Sequence, residues 1–196
     1  MTEYLNAEIQ PKGPVSEECI RRHLYTFGQA AAYVRQLPYG RNADKNSILC
    51  VFTDNCGTCS TKHALLKRLA DENHIGNLKL MLGMFHMNKN NSPQIAATLA
   101  LHHLESIPEA HCYLKIEDQR IDFTKENFNP LAVVGDLIEE IEIAPEQITD
   151  FKNKYHQNHL KTWLQAQPHI QLSFDALWNI REQCIQDLSE GDNMME

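Results

Sequence analysis

Ile48 to Ala70 reads ILCVFTDNCGTCSTKHALLKRLA. Its first residues, Ile48 to Phe52, form a short apolar segment read as extended, and a turn containing Gly57 follows. From Cys59 the pattern changes, with Ala64, Leu65, Leu66, Leu69 and Ala70 recurring at helical spacing. Cys59 therefore falls at the start of a helix. Exposed N–H groups there carry partial positive charge and favour the thiolate, the form of cysteine that attacks carbonyl carbon or disulfides or binds metal. What the rest of the chain brings to this thiol decides among those chemistries.

Upstream, Ser16 is expected to cap one helix in which Ile20, Leu24, Phe27, Ala31 and Val34 recur every three or four residues until Leu37-Pro38 ends it. Tyr39 to Ser47 reads as an exposed loop. Downstream, Asn73 to Asn77 is a turn around Gly76, Leu78 to Phe85 a buried strand, and Ser92-Pro93 the opening of a helix through Ile95 and Leu99. Leu137 to Ile143 reads as a further strand. Pro145 opens a long helix through Ile148, Phe151, Tyr155 and Leu160, and Ser173 caps a last one through Phe174, Leu177, Trp178, Ile185 and Leu188. The aromatics at this spacing read as core, and the tail Ser189 to Glu196 is expected to fray.

Ala110 to Thr124 is the clearest hairpin. Cys112, Leu114 and Ile116 alternate on one side of its first strand, Ile121 and Phe123 on one side of its second, and the polar Glu117-Asp118-Gln119 lies between. A turn centred on Glu117-Asp118 pairs Tyr113 with Asp122, so the opposite face carries His111, Tyr113 and Asp122. His111 and Asp122 are then diagonal neighbours at a backbone separation on the order of 7–8 Å, which an imidazole and a carboxylate can close. A cysteine acting on acyl groups needs a base for its proton and a third group to orient that base, and Cys59, His111 and Asp122 supply all three.

Three short motifs, Gly57-Thr58-Cys59, His111-Cys112-Tyr113 and Asp122-Phe123-Thr124, resemble those of the transglutaminase-like superfamily, a branch of the papain-like cysteine enzymes. There they read Gly-x-Cys before a helix, His-x-aromatic on a strand and Asp-x-Ser/Thr on the next. The resemblance covers about Val34 to Thr124 and includes the helix after Cys59 and the strand Leu78 to Gly83. It implies an α+β fold with a papain-like core, in which the helix bearing the cysteine packs on an antiparallel sheet. It also implies a nucleophile (Cys59), an imidazole base (His111) and an orienting carboxylate (Asp122). Cys56, a second thiol beside the nucleophile, departs from the pattern, and no residue matches the family's oxyanion-hole side chain.

The 196 residues lack an obvious linker and are expected to form one transglutaminase-like domain, 1–196, with a C-terminal helical extension over about 145–190. A net charge of −8 and the lack of basic runs argue against nucleic acid or an anionic membrane and favour a peptide, protein or small amide substrate. The amino terminus has neither the basic start nor the apolar segment of a signal peptide, which makes a cytoplasmic location the expectation. In that compartment the six cysteines are read mostly as small buried hydrophobes. No cofactor is expected, and no metal, since the adjacent His102 and His103 point apart on a helix. His63, one turn beyond Cys59, and the pairs Asp71-Glu72 and Glu139-Glu140 read as solvent-exposed. Two readings compete with acyl transfer: a thioredoxin-like dithiol at Cys56-Gly57-Thr58-Cys59, with Ile107-Pro108 as its proline, and a binding scaffold without activity.

Overall fold

The computed structural model describes residues 3–126 and 135–193. Four strands, β1 (Leu78–Asn88), β2 (Ser106–Ile116), β3 (Gln119–Ile121) and β4 (Leu137–Glu142), form an antiparallel sheet in the order β3-β2-β1-β4. Helix makes up 49% and strand 20%, so the α+β class expected from the sequence is correct. The chain divides into two compact units: Met1–Leu82 with Cys112–Pro130 and Ile141–Thr149, and Gly83–His111 with Leu131–Glu140 and Asp150–Glu196.

In the first unit the helices α1 (Pro14–Arg21), α2 (Phe27–Gln36) and α3 (Cys50–Asp54) and the 3-10 turn Pro145–Ile148 all pack on α4 (Cys59–Asn73). The helix expected from Ile20 to Val34 is two helices. Between them His23 adopts a left-handed φ of 61°, and Thr26 begins α2 with a capping box in which Gln29 Oε1 accepts from the Thr26 N–H. Apolar spacing continues through the break because both helices bury Cys19, Phe27, Ala31 and Val34 against the same core. Ser16 is not the cap of α1. Gly13 holds that position, and the Ser16 hydroxyl accepts from the Lys12 and Gly13 N–H groups. Glu72, expected to be solvated, reaches across from α4 to accept the Val15 and Ser16 N–H groups at 3.0 and 2.7 Å, placing a carboxylate at the positive end of α1.

Ile48 to Phe52 is likewise not extended: it enters α3, which ends where Asn55 turns left-handed at φ 50°. A five-residue apolar run cannot by itself distinguish strand from buried helix, and here Val51 and Phe52 are buried as helix. The strand at Leu78 and the helix at Cys59 stand where the sequence put them, and β1 is buried along almost its whole length, as expected of a strand covered on both faces.

The second unit contains α5 (Ala96–Leu101), α6 (Asp150–Gln165) and α7 (Phe174–Asn193). The long helix expected from Pro145 is instead a 3-10 turn and α6, separated at Thr149. Ser173 caps α7 as expected, its hydroxyl accepting from the Ala176 N–H at 3.1 Å. That helix continues to Asn193, past the start of the expected fraying tail, whose last three residues lie outside the described ones. Glu139 is not merely solvated either: it accepts from the Tyr155 hydroxyl at 2.8 Å and lies 3.1 Å from His159 Nδ1. Among the described residues no helix is long and apolar enough to cross a membrane.

This unit contains a largely buried ion pair. Glu109, on β2, receives two bonds from the Arg181 guanidinium of α7, at 2.7 and 2.5 Å, and Arg181 in turn lies over the Trp178 ring. Burial alone would raise the Glu109 pKa, but Arg181 and His156 outweigh it and hold the carboxyl at about 2. His156, from α6, is buried, which lowers its pKa against the pull of Glu109. Its Nε2 lies 2.9 Å from the Pro108 carbonyl, and because a carbonyl can only accept, Nε2 carries the ring proton.

Removing one member leaves the other charge buried and unmatched. Arg181→Leu is therefore expected to cost about 3–5 kcal/mol in urea unfolding, with much of the loss recovered in Glu109→Leu/Arg181→Leu. The sign with pH follows from a depressed carboxyl: the contribution is complete above the ordinary value of 4.5 and is lost as the pH falls toward about 2. Stability measured from pH 6 to about 2 should fall more steeply in the wild type than in the double variant.

Candidate functional site

Cys59 is the first residue of α4, behind the N-cap Thr58, whose backbone is extended (φ −83°, ψ 171°). Thr58 and Thr61 close a reciprocal cap, the Thr61 hydroxyl accepting from the Thr58 N–H at 3.0 Å and the Thr58 hydroxyl accepting from the Thr61 N–H. The cysteine is buried, with Sγ 3.9 Å from Ser60 Oγ. From Cys59 to Leu66 every α4 residue is buried, so the helix enters the core by its N-terminal end.

The turn ahead of Cys59 is held from the side by the segment expected to be an exposed loop. Tyr39 and Gly57 form a parallel bridge, in which Gly57 N–H donates to the Pro38 carbonyl at 3.1 Å. Asn42, itself buried, donates from Nδ2 to the Cys56 carbonyl and to Asp54, and accepts from the Thr61 hydroxyl at 2.7 Å. The glycine is required by space rather than by backbone angle. A Cβ at Gly57 would lie 2.9 Å from Lys62 Cγ, 3.0 Å from Thr61 Oγ1 and 3.1 Å from Val51 Cγ2.

The hairpin has the turn centre inferred from its alternation. Leu114 pairs with Ile121, Lys115 with Arg120 and Ile116 with Gln119, leaving Glu117-Asp118 as a two-residue turn with Glu117 left-handed at φ 52°. Asp122 follows β3 directly, and its side chain is 2% exposed. Its Oδ1 accepts from the Thr124 N–H at 2.7 Å, an Asx turn closed on its own chain. Cys59 and Asp122 both belong to the first unit. His111, on β2, is the last residue of the stretch Gly83–His111 assigned to the second; it is partly exposed, with its ring edge-on to Phe85 at 6.2 Å between centroids.

Two residues, one of them the His63 read as exposed, are the most buried polar groups near Cys59. Lys62 and His63 are each 0% exposed. The Lys62 ammonium donates to the Leu37 and Thr124 carbonyls, the latter at 2.7 Å. His63 Nε2 lies 2.8 Å from the Phe123 nitrogen and Nδ1 2.8 Å from the Cys59 carbonyl. A backbone N–H can only donate and a carbonyl can only accept, so Nε2 is bare and Nδ1 holds the proton: His63 is neutral in a single tautomer. Its 3.8 Å approach to Asp122 Oδ1 is thus a carboxylate beside a neutral ring and not an ion pair. The signal for both was present in the sequence. Positions 59, 62, 63, 66, 69 and 70 lie on one stripe of the helix, and that stripe is otherwise apolar.

Five of the six cysteines are buried; the exception, Cys56, is half-buried. Burial raises its pKa, with Asp54 adding to the rise and Lys62 opposing it. Among the described residues no group of three or more His, Cys, Asp or Glu side chains is placed to hold a metal ion.

Gly57→Ala should cost about 1–3 kcal/mol, the range for overpacking a filled site, because the three atoms it meets belong to the buried lysine, the cap and the buried Val51 of α3. Chemical denaturation beside Gly40→Ala checks this, since a Cβ at Gly40 meets only Cys56, at 3.5 Å. Comparison of the chain with family models, with curated proteins and with solved structures finds no match.

Proposed function

We propose that the chain is a transglutaminase-like cysteine hydrolase or acyltransferase acting on an amide or ester carbonyl of a peptide, protein or small amide. Cys59 is the nucleophile, His111 the base and Asp122 the carboxylate that orients it. The observation that carries the reading is the hairpin register. The pairing of Leu114 with Ile121 ends the ladder one residue before Asp122, and on β2 His111 alternates onto the same face as Tyr113. A buried carboxylate beyond β3 and a cysteine at a capped helix start add to it.

In this mechanism the Cys59 proton passes to His111, and the thiolate attacks the carbonyl carbon to give a tetrahedral oxyanion. Collapse expels the amine or alcohol, which takes the proton from His111, and leaves a thioester on Cys59. Water or a second amine, deprotonated by His111, then attacks the thioester, and the released thiolate recovers the proton. Asp122 keeps the imidazole in the productive tautomer and stabilises its charged form.

The dithiol reading is disfavoured on two counts. Cys56-Gly57-Thr58-Cys59 follows a helix, α3, instead of a strand, and the more exposed of its thiols, Cys56, has its pKa raised, opposite to what an attacking redox cysteine needs.

Two measurements test the proposal. Cys59→Ala should abolish labelling by a thiol-reactive acyl probe while Cys56→Ala retains most of it; equal loss in the two, with a titratable Cys56–Cys59 disulfide, would establish the dithiol instead. Iodoacetamide alkylation of Cys59 needs no substrate. Its rate should rise below the free-thiol pKa of ~8.5, and His111→Ala should return the profile to that of an ordinary thiol. An ordinary profile in the wild type would leave the chain a scaffold.

A further inference from the structure

We propose that Lys62 and His63 are positioning residues: they hold the Asp122-Phe123-Thr124 segment on the cysteine helix and thereby set the orientation of the Asp122 carboxylate. The inference rests on the reading of Asp122 as the orienting group.

The segment begins where the β3 ladder stops, after Ile121, so its backbone needs partners from elsewhere. Two consecutive side chains of α4 provide them. His63 Nε2 takes the Phe123 N–H at 2.8 Å, and the Lys62 ammonium takes the Thr124 carbonyl at 2.7 Å. The Thr124 N–H in turn is given to Asp122 Oδ1 at 2.7 Å. The carboxylate is therefore tied to Thr124, Thr124 to Lys62, and Phe123 between them to His63. The links to Lys62 and His63 are buried, where a backbone group deprived of its partner costs about 1–3 kcal/mol, and the link to Asp122 is partly so.

The hydrogen bonds of both residues run to backbone groups, and His63 reaches Cys59 through its carbonyl. Lys62 also binds the Leu37 carbonyl at the end of α2, which fixes the ammonium from a second direction. The arrangement makes the helix that carries the nucleophile also carry the jig for the acid, so that movement of α4 moves both.

Lys62→Met keeps the stem that packs against Gly57 and deletes the ammonium; His63→Leu deletes the acceptor for Phe123, and His63→Gln restores an oxygen. Amide hydrogen exchange reads the clamp directly: the Phe123 amide should exchange at least tenfold faster in His63→Leu than in His63→Gln, and the Thr124 amide faster in Lys62→Met. The pH profile of Cys59 alkylation reads the consequence. Each clamp variant should shift it in the direction of Asp122→Asn, a rate change of about tenfold per pH unit at pH below the thiol pKa. Lys62→Met/Asp122→Asn should lose no more than Asp122→Asn alone, because the two act through one group. Unchanged exchange at both amides overturns the clamp. Faster exchange with an alkylation profile still like wild type, or additive losses in the double variant, overturns positioning. An Asp122→Asn profile identical to wild type removes the underlying reading, and the proposal with it, and exchange data showing the clamp intact would identify that as the cause.

Discussion

An ammonium group with no access to solvent one turn into α4 is the constraint around which the first unit is built. Moving such a charge from water costs on the order of several kcal/mol, and a lone carbonyl would not offset it. Lys62 therefore requires its acceptors to be fixed, and they come from opposite directions: the end of α2 at Leu37 and the strand end at Thr124. The stem leading to the ammonium occupies the space that Gly57 leaves, so the close turn before Cys59 and the buried cation depend on each other. A cap of paired threonines, a bridge to Tyr39 and the amide of Asn42 complete the same corner.

That corner combines features that favour stability with some that do not. Burying polar groups at the start of a helix is costly unless each is matched, and backbone carbonyls and an amide supply hydrogen bonds to Lys62 and His63 here. Backbone partners cannot be titrated. The neutral tautomer of His63 shows the result: it acts as a two-ended hydrogen-bond bridge from the Cys59 carbonyl to the Phe123 amide. The second unit uses the contrary device, a charged pair, Glu109 with Arg181, shielded by Trp178. The second unit loses its pair at low pH, as the Glu109 carboxyl takes up a proton.

The elements that could be read from the sequence are those with a local signature. The Cys59 helix has its turn and its apolar spacing, the hairpin its strict alternation about Glu117-Asp118, and α7 its serine cap; each stands where expected. The break between α1 and α2 was also written locally, in Thr26 and Gln29, but the apolar rhythm ran across it and hid it. Ile48 to Phe52 was ambiguous on length alone. What could not be read were partners far apart in the chain: Glu72 capping α1, Glu109 meeting Arg181, and Lys62 and His63 turned inward. A charged residue on an apolar stripe is the trace such partners leave, and Lys62, between Cys59 and Leu66, is an instance of it. For the candidate site, the place of Cys59 at a helix start and of Asp122 just beyond the hairpin was legible, whereas the bonds from Lys62 and His63 to the segment after Asp122 were not.

The order in which the chain leaves the ribosome gives the lysine a history. Leu37 precedes it by 25 residues, but Thr124 comes 62 residues later, and the amide that His63 accepts from comes 60 later. Contacts so distant in sequence form late, after the entropy of a long loop has been overcome. Through most of synthesis, then, Lys62 and His63 must remain in water, and the start of α4 cannot settle into the core even though its helix is locally encoded. The first unit closes only when 141–149 arrive, after two of the three stretches of the second have been made. A nascent or truncated chain ending near Leu82 would lack the Phe123 and Thr124 partners of His63 and Lys62, so the start of α4 would be completed only with the hairpin.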